Sequence, residues 1–262
     1  NDVPVLANIE VSARPYTEND SAAQITNAIT VSDLDDANID TATVQITGNF
    51  QSGQDVLSTT ALPAGIAANF NAGNGTLTFS GAASKAEYQT ALRAVRYTNT
   101  SDDPNTATRT IAFTVNDGDT DSNTQTRDIT VSAVIDLPEI ANLAGDTLSY
   151  TEGDGAQLID QSPAASAIDL DSPDFDGGTL TVSIPVGEVM GQDVLSIRDQ
   201  GVSTGQIGFN GSIVTFEGTT IGTFGAGSIV VTFNANATLP AVSALLANIT
   251  YENTSDVPSE AN

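Results

Sequence analysis

Residues 97–102 read Tyr-Thr-Asn-Thr-Ser-Asp, and residues 251–256 read Tyr-Glu-Asn-Thr-Ser-Asp. A motif that returns 154 positions later marks the chain as a tandem repeat, and further landmarks follow in both directions. Gly53-Gln-Asp-Val-Leu-Ser58 returns as Gly191-Gln-Asp-Val-Leu-Ser196 after 138 residues, and Asp33-Leu-Asp35 returns as Asp169-Leu-Asp171 after 136. Tyr16-Thr-Glu18 returns as Tyr150-Thr-Glu152, and Asn1-Asp-Val-Pro4 as Ile135-Asp-Leu-Pro138, both after 134. Repeat 1 is therefore placed at 1–136 and repeat 2 at 137–262. The jump from 138 to 154 predicts an added hairpin in repeat 2 near 219–236, where Ile221-Gly-Thr-Phe224 and Ser228-Ile-Val-Val-Thr-Phe233 flank a Gly-Ala-Gly turn.

Strand patterns dominate both repeats. Ala42-Thr-Val-Gln-Ile-Thr47 and Thr110-Ile-Ala-Phe-Thr-Val115 alternate apolar and polar residues as half-buried strands do. Asn74-Gly75 and Asn210-Gly211 are hairpin turns, since both central positions of such a turn need a positive φ. A short helix is expected at 84–92, where Ser84-Lys-Ala-Glu87 has capping-box spacing, and another at 238–246, with Thr238 as cap and Pro240 in the first turn. Many short strands with regular turns predict an all-β chain of two tandem antiparallel Greek-key β-sandwiches. After Asn-Thr-Ser-Asp, repeat 1 continues through strands at 109–115 and 127–134, whereas repeat 2 has six residues left. The second sandwich is thus expected to lack its last two strands and to uncover Ile249 and Tyr251. Three explanations stay open: an excerpt of a longer protein, an unresolved remainder, or strands supplied by another chain.

Composition narrows the chemistry. The 262 residues hold 33 acids and 7 bases, a net charge of −26, with no His, Cys or Trp. Without His or Cys there is no Ser-His-Asp or Cys-His nucleophile, no imidazole or thiolate metal site and no disulfide. Such a negative charge repels phosphate backbones and anionic lipid, so neither nucleic acid nor membrane insertion is expected. No apolar run approaches the roughly 18 residues of a membrane helix. The N-terminus lacks the pattern of a signal peptide, and the chain reads as a piece of something longer.

The acids concentrate on turns, and strand parity assigns each turn to an end of its sandwich. The bottom of repeat 1 carries Glu18, Asp102 and Asp103, the linker Asp136, and the top of repeat 2 Asp169 and Asp171. Six carboxylates are predicted to converge at that joint, and Asp2, Asp33 and Asp35 hold the equivalent places at the top of repeat 1. Residues i and i+2 of an extended segment point the same way, so Asp-x-Asp offers two oxygens on one side. Ca²⁺, which takes six to eight oxygens in flexible geometry, is the cation such a set suits. Asn116-Asp-Gly-Asp119, at the top of repeat 1, is read as a hairpin turn rather than a ligand loop.

Residues 91–104, Ala-Leu-Arg-Ala-Val-Arg-Tyr-Thr-Asn-Thr-Ser-Asp-Asp-Pro, with Arg109-Thr-Ile-Ala-Phe-Thr-Val-Asn-Asp-Gly-Asp119 and residues 244–258, resemble the tandem cadherin-like repeats of large bacterial surface and RTX-type adhesins. The resemblance implies cadherin/Ig-like sandwiches stiffened by Ca²⁺ outside the cell, partnered by neighbouring repeats or subunits and serving as spacer or adhesion module. It likens Glu18 to the Glu ending the first strand, Asp102 and Asp103 to the acids before the sixth, and Asp136 to a linker acid. Asp169 with Asp171 then resembles the Asp-x-Asp of the next domain. The linker is poorer in acids than that pattern, and the Gly-rich nonapeptides of RTX domains are absent from these residues. A fibre subunit assembled by strand donation and a carbohydrate-binding domain with glycan partners stand as alternatives. Glycosidase chemistry is disfavoured, because the acids lie on turns at sandwich ends, and no enzyme activity is expected.

Overall fold

The computed structural model describes residues 1–225 and 229–257. Two compact units divide it, Asn1–Ile135 and Asp136–Asn262, with the boundary one residue before the expected one. Unit 1 runs through β1 (Val5–Ala7), β2 (Arg14–Thr17), β3 (Ala23–Gln24), β4 (Thr30–Ser32), β5 (Asn38–Gly48), β6 (Asp55–Thr59), β7 (Ala67–Asn71) and β8 (Thr76–Ser84). It continues through α1 (Lys85–Arg93), β9 (Val95–Asn99), β10 (Arg109–Asn116) and β11 (Gln125–Ser132). A six-stranded sheet has the order β2-β11-β10-β5-β8-β7, a three-stranded sheet the order β3-β9-β6, and β1 pairs with β4. All pairings are antiparallel except β2 with β11.

Alternation decides what each strand buries. Arg109, Ile111, Phe113 and Val115 of β10 all point inward and are shielded, while the residues between them are half-exposed. Ile111, Phe113 and Val115 join Val44, Phe79, Leu57 and Tyr97 in one core contributed by both sheets. Each fully buried large apolar side chain stabilises by about 1.5–3 kcal/mol. Helix α1 closes this core with Tyr88, Ala91 and Leu92, and both halves of the Ser84–Glu87 capping box form. Gly81 sits at a register break of β8, with φ +118°, where a Cβ would stand 2.1 Å from the Gly65 carbonyl oxygen. Only glycine fits there.

One polar cluster lies inside this apolar frame. Asp55, 1% exposed, accepts hydrogen bonds at Oδ1 from the Tyr97 hydroxyl (2.6 Å) and the Asn99 amide (2.7 Å). Its Oδ2 accepts the Gln51 N–H (2.8 Å) and faces Arg109 Nε at 3.1 Å, and Arg109 is itself fully buried. Arg109 also donates to the carbonyls of Asn105 and Ala107. Burial, with the Asp55 carboxylate beside it, pushes the Tyr97 hydroxyl pKa far up, so the phenol is a fixed donor at any ordinary pH. Because β6 and β9 belong to the small sheet and β10 to the large one, the Asp55–Arg109 pair bolts the two sheets together. Tyr16 packs edge-on against Tyr97 at 5.2 Å and reaches the Asn99 carbonyl oxygen with its hydroxyl.

Unit 2 repeats this plan through β12 (Glu139–Ala141), β13 (Gln157–Leu158), β14 (Ser166–Ile168), β15 (Thr179–Val182), β16 (Asp193–Ile197), β17 (Ile207–Phe209) and β18 (Ile213–Phe216). The remaining elements are β19 (Thr219–Gly225), β20 (Ile229–Phe233), α2 (Leu239–Leu246) and β21 (Ile249–Asn253). The sheets are β12-β14, β13-β21-β16 and β15-β20-β19-β18-β17. The expected cap of α2 is present in backbone only: Thr238 makes no side-chain bond, and Pro240 lies in the first turn.

Pairing register corrects the placement of the insertion. Leu180 of β15 faces Val231 of β20 as Val44 of β5 faces Leu77 of β8, and Phe224 of β19 faces Val231 as Phe70 of β7 faces Leu77. β19 and β20 are therefore the counterparts of β7 and β8, and the added hairpin is β17–β18, turning at Asn210-Gly211 rather than lying at 219–236. The physical reason is an available edge: β7 ends its sheet, so two more strands extend it without entering the core. Ala226 and Gly227 of the expected turn and Ser228 of the strand expected after it lie outside the described residues.

Asp193 rebuilds the Asp55 cluster, accepting from the Tyr251 hydroxyl (2.6 Å), the Asn253 amide (2.7 Å) and the Val189 N–H (2.6 Å). Burial raises its carboxyl, but these donors outweigh that and leave the pKa below the usual range. Among the described residues no strand of unit 2 corresponds to β10 or β11, and β15 ends its sheet. Tyr251 is half-exposed as expected, whereas Ile249 stays buried in a core that includes Leu245 and Leu246 of α2, against expectation.

Asp55→Ala leaves a buried guanidinium without its counter-charge, a loss of about 3–5 kcal/mol. Calorimetry of the chain should show the transition of unit 1 displaced accordingly, and a loss below about 1 kcal/mol would count against the bolt.

Candidate metal centre

Three chain segments meet at one end of unit 1. The β4–β5 loop carries Asp33-Leu-Asp-Asp36, the β10–β11 loop carries Asp117-Gly-Asp119, and Asn1-Asp2 precedes β1. Asp33, Asp36 and Asp117 each bring one carboxylate oxygen within 4.8 Å of the others. Local turns aim them. Asp33 Oδ1 accepts the N–H groups of Asp35 (3.1 Å) and Asp36 (2.8 Å), and Asp117 Oδ1 accepts those of Asp119 (2.8 Å) and Thr120 (2.7 Å). That leaves Asp33 Oδ2 and Asp117 Oδ2 shielded from solvent with no hydrogen-bond donor. A carboxylate oxygen held dry and unpartnered is costly unless a cation meets it.

The nearby cationic side chain does not neutralise the trio. Lys85, at the start of α1, donates instead to the backbone carbonyls of Asp33 (2.8 Å) and Asp36 (2.5 Å) and so anchors the loop. The Asn1 amide bridges Asp36 Oδ2 (2.9 Å) and Asp119 Oδ2 (3.2 Å). Loss of hydration, together with the charges of Asp35, Asp117, Asp33 and Asp119, raises the Asp36 pKa. Backbone donors hold Asp35 and Asp117 low, the N–H of Asp2 for the first and those of Thr120 and Asp119 for the second. Two carboxyls are thus kept ionised while a third is pressed toward its acid form, the signature of crowded negative charge.

The nine sequence-derived candidates distribute as follows. Asp33 belongs to the trio. Asp35 turns aside to the Asp2 N–H (3.0 Å), so Asp2 contributes its backbone rather than a carboxylate to that contact. Asp36 and Asp117 take the places expected of neighbours, and the 116–119 turn, expected to be only a hairpin, supplies a member of the trio. Of the six residues expected to share one site, Glu18, Asp102 and Asp103 belong to unit 1, and Asp136, Asp169 and Asp171 to unit 2.

Glu18, 4% exposed, accepts the Val134 N–H at Oε2 (2.8 Å), and its Oε1 is another shielded oxygen without a donor. Asp102 and Asp103 are exposed on the turn after β9. In unit 2 the cradle at the top of unit 1 recurs: the Asp136 N–H reaches Asp171 Oδ2 (3.1 Å) as that of Asp2 reaches Asp35, and Asp169 Oδ1 accepts the Ser172 N–H (3.1 Å) as Asp33 accepts that of Asp36. The Asp136 donor, with help from Asp169 and Ser172, lowers the Asp171 pKa. Asp136 Oδ2 is shielded and unpartnered as well. Ser172 stands where unit 1 has Asp36, so this cradle carries one charge fewer.

No family model matches the chain. A stretch of 95 residues, 35% of the chain, is 36% identical to halomucin of Haloquadratum walsbyi and covers 1% of that protein. The matched relative is thus about a hundred times longer than the matched stretch. No helix among the described residues is long and apolar enough to cross a membrane.

Because the folded-state pKa of Asp36 is raised, its ionisation opposes folding: the penalty is absent below the ordinary carboxylate pKa and grows as pH rises through the raised one. Asp36→Asn should therefore raise the melting temperature of unit 1 in EDTA at pH 7. The gain should vanish at about pH 3, where the acid is protonated in both states. A destabilised variant in EDTA at pH 7 would show that Asp36 acts through its hydrogen bond from Asn1, not through repulsion.

Proposed function

We propose that the chain is a calcium-stiffened extracellular module of a large surface protein, a spacer or adhesive segment built from cadherin-like Greek-key repeats. One observation carries the reading: Asp33, Asp36 and Asp117 each bring a carboxylate oxygen within 4.8 Å of the others, and Oδ2 of Asp33 and of Asp117 is dry and donor-free. Ca²⁺ would be held there by these carboxylates with water completing its shell, and it would supply charge neutralisation and a cross-link between the β4–β5 and β10–β11 loops. Zinc and copper lack their preferred ligands in a chain without His or Cys. Glu18 and the Asp136–Asp169–Asp171 cradle are further ligands in the same reading, each ending in a shielded free oxygen or a lowered carboxyl. Likeness to a protein named as a mucin, and far longer than the match, favours a place outside the cell. The net charge of −26 favours a setting rich in cations.

A carbohydrate platform draws less support, since sugar faces stack on aromatics and only 5% of residues are aromatic, none of them Trp. The trio predicts saturable Ca²⁺ binding by titration calorimetry and a stabilisation of about 2.7 kcal/mol at a hundredfold excess over Kd. Asp117→Asn should abolish most of both effects. Equal stabilisation by NaCl at matched ionic strength, with no saturable heat, would reduce the cluster to ordinary screening and overturn the reading.

A further inference from the structure

A net charge of −26 hides one concentration of cations. Of the seven basic side chains, three donate to backbone carbonyls of residues 22–29: Arg93 to Ala28 (3.1 Å) and Ile29 (2.9 Å), Arg96 to Ala22 (3.2 Å), and Arg127 to Ile25. Beside them Glu10, Arg14, Gln24, Asn27 and Arg127 line a polar pocket of about 180 Å³ within unit 1, with Arg14 on β2 and Arg127 on the adjacent β11. The one carboxylate there is already satisfied. Glu10 accepts the Thr26 hydroxyl (2.6 Å) and the Asn27 N–H (3.1 Å) and pairs with Arg127 Nη1 (3.2 Å). Burial raises its carboxyl, but Thr26, Asn27 and the charge of Arg127 outweigh that and hold the pKa below the usual range. Arg127 gives its Nε to the Ser12 carbonyl (3.0 Å), whereas its Nη2 and the exposed guanidinium of Arg14 make no hydrogen bond among the described residues. Two guanidiniums against one carboxylate leave the pocket one positive charge in excess. The fold itself does not require this set: unit 2 keeps the framework residues Tyr150, Asp193 and Tyr251, but has Ala144, Leu148, Leu158 and Thr250 where unit 1 has Glu10, Arg14, Gln24 and Arg96.

We infer that this pocket binds a single carboxylate carried on a hydroxylated, sugar-sized group, that is, a terminal uronic acid. The carboxylate meets the guanidinium of Arg14 and Nη2 of Arg127 in charge-assisted hydrogen bonds, for which the planar fork of arginine is suited. Gln24 gives its Nε2 to the Arg93 carbonyl (2.7 Å) and keeps Oε1 for a hydroxyl donor, and the exposed Asn27 amide serves a second hydroxyl. One carboxylate matches the excess of one charge, while a ligand with many would meet the repulsion of the whole chain. Recognition through guanidinium and amide groups needs no stacking face, so the scarcity of aromatics does not weigh against it. The inference is independent of any cation, because the pocket shares no residue with the acidic cradles.

The test uses the whole chain and NMR titration with methyl glucuronide, against methyl glucoside, inorganic sulfate and a polyglutamate peptide, in about 0.15 M NaCl to screen loose surface attraction. The glucuronide should shift the resonances of Arg14, Gln24, Asn27 and Arg127 saturably, and the uncharged glucoside should leave them in place. Arg14→Gln should weaken glucuronide binding about tenfold, the worth of one charge-assisted contact. If that variant does not fold, the comparison of glucuronide with glucoside on the unaltered chain still decides. Absence of saturable binding, an equal response to the glucoside or undiminished affinity in a folded Arg14→Gln overturns the inference. Sulfate binding as tightly as the glucuronide would reduce the pocket to a general anion site and overturn it, and tighter binding of polyglutamate would do so by making an acidic polypeptide the ligand. Shifts centred on residues 33–36 and 117 would also overturn it, by placing the ligand at the acidic end of the sandwich.

Discussion

The sandwich of unit 1 depends on a charge pair that burial makes expensive. Asp55 and Arg109 are both removed from water, and desolvating two ions costs several kcal/mol each before their attraction is counted. Their worth is geometric. Arg109 opens β10, the strand on which the middle of the large sheet rests, and a one-residue slip of that strand would turn Ile111, Phe113 and Val115 to the outer face and withdraw the guanidinium from Asp55. Apolar contacts alone would tolerate neighbouring registers more easily than a buried, hydrogen-bonded ion can. Tyr97 and Asn99 use up the other carboxylate oxygen, so the cluster is closed around a single arrangement of β6, β9 and β10.

The same framework explains why the acids at the strand ends gather instead of spreading. Sheets fix where each strand stops, and short Asx-type turns then use one oxygen of Asp33 and one of Asp117 to cap backbone N–H groups. Each turn is a local, inexpensive structure, yet it leaves the second oxygen pointing away from its own backbone. When two such turns share an end of the sandwich, one carboxylate oxygen each of Asp33, Asp36 and Asp117 comes within 4.8 Å of the others. Repulsion at Asp36 is the direct consequence of two separately favourable turns.

Much of this was legible in the chain. The offsets of 134, 136, 138 and 154 reappear as pairing registers, because a repeat that preserves spacing within each landmark preserves which residues face each other. Ser84 and Glu87 announced α1 through a reciprocal contact that needs no tertiary partner. The landmarks bracket the added hairpin only between 196 and 251, and both hairpins in that interval alternate equally well, so sheet pairing alone separates them. Asp117 reads as a turn residue because its turn is self-sufficient in sequence, and its meeting with Asp33 is made by loops that lie far apart along the chain. In sequence, Asp55 stands out only as a landmark of the repeat. Its signal was present all the same: Asp, Tyr and Asn recur together at 55, 97 and 99 and at 193, 251 and 253, a pattern that solvated turn acids have no reason to keep.

A single strand links the two chemistries of unit 1. β10 begins at Arg109, inside the Asp55 cluster, and ends at Asn116, one residue before Asp117, so its eight residues span roughly 26 Å between the bolt of the sheets and the acidic trio. Seating the strand at one end positions Asp117 at the other, and anything that pins Asp117 resists withdrawal of Arg109.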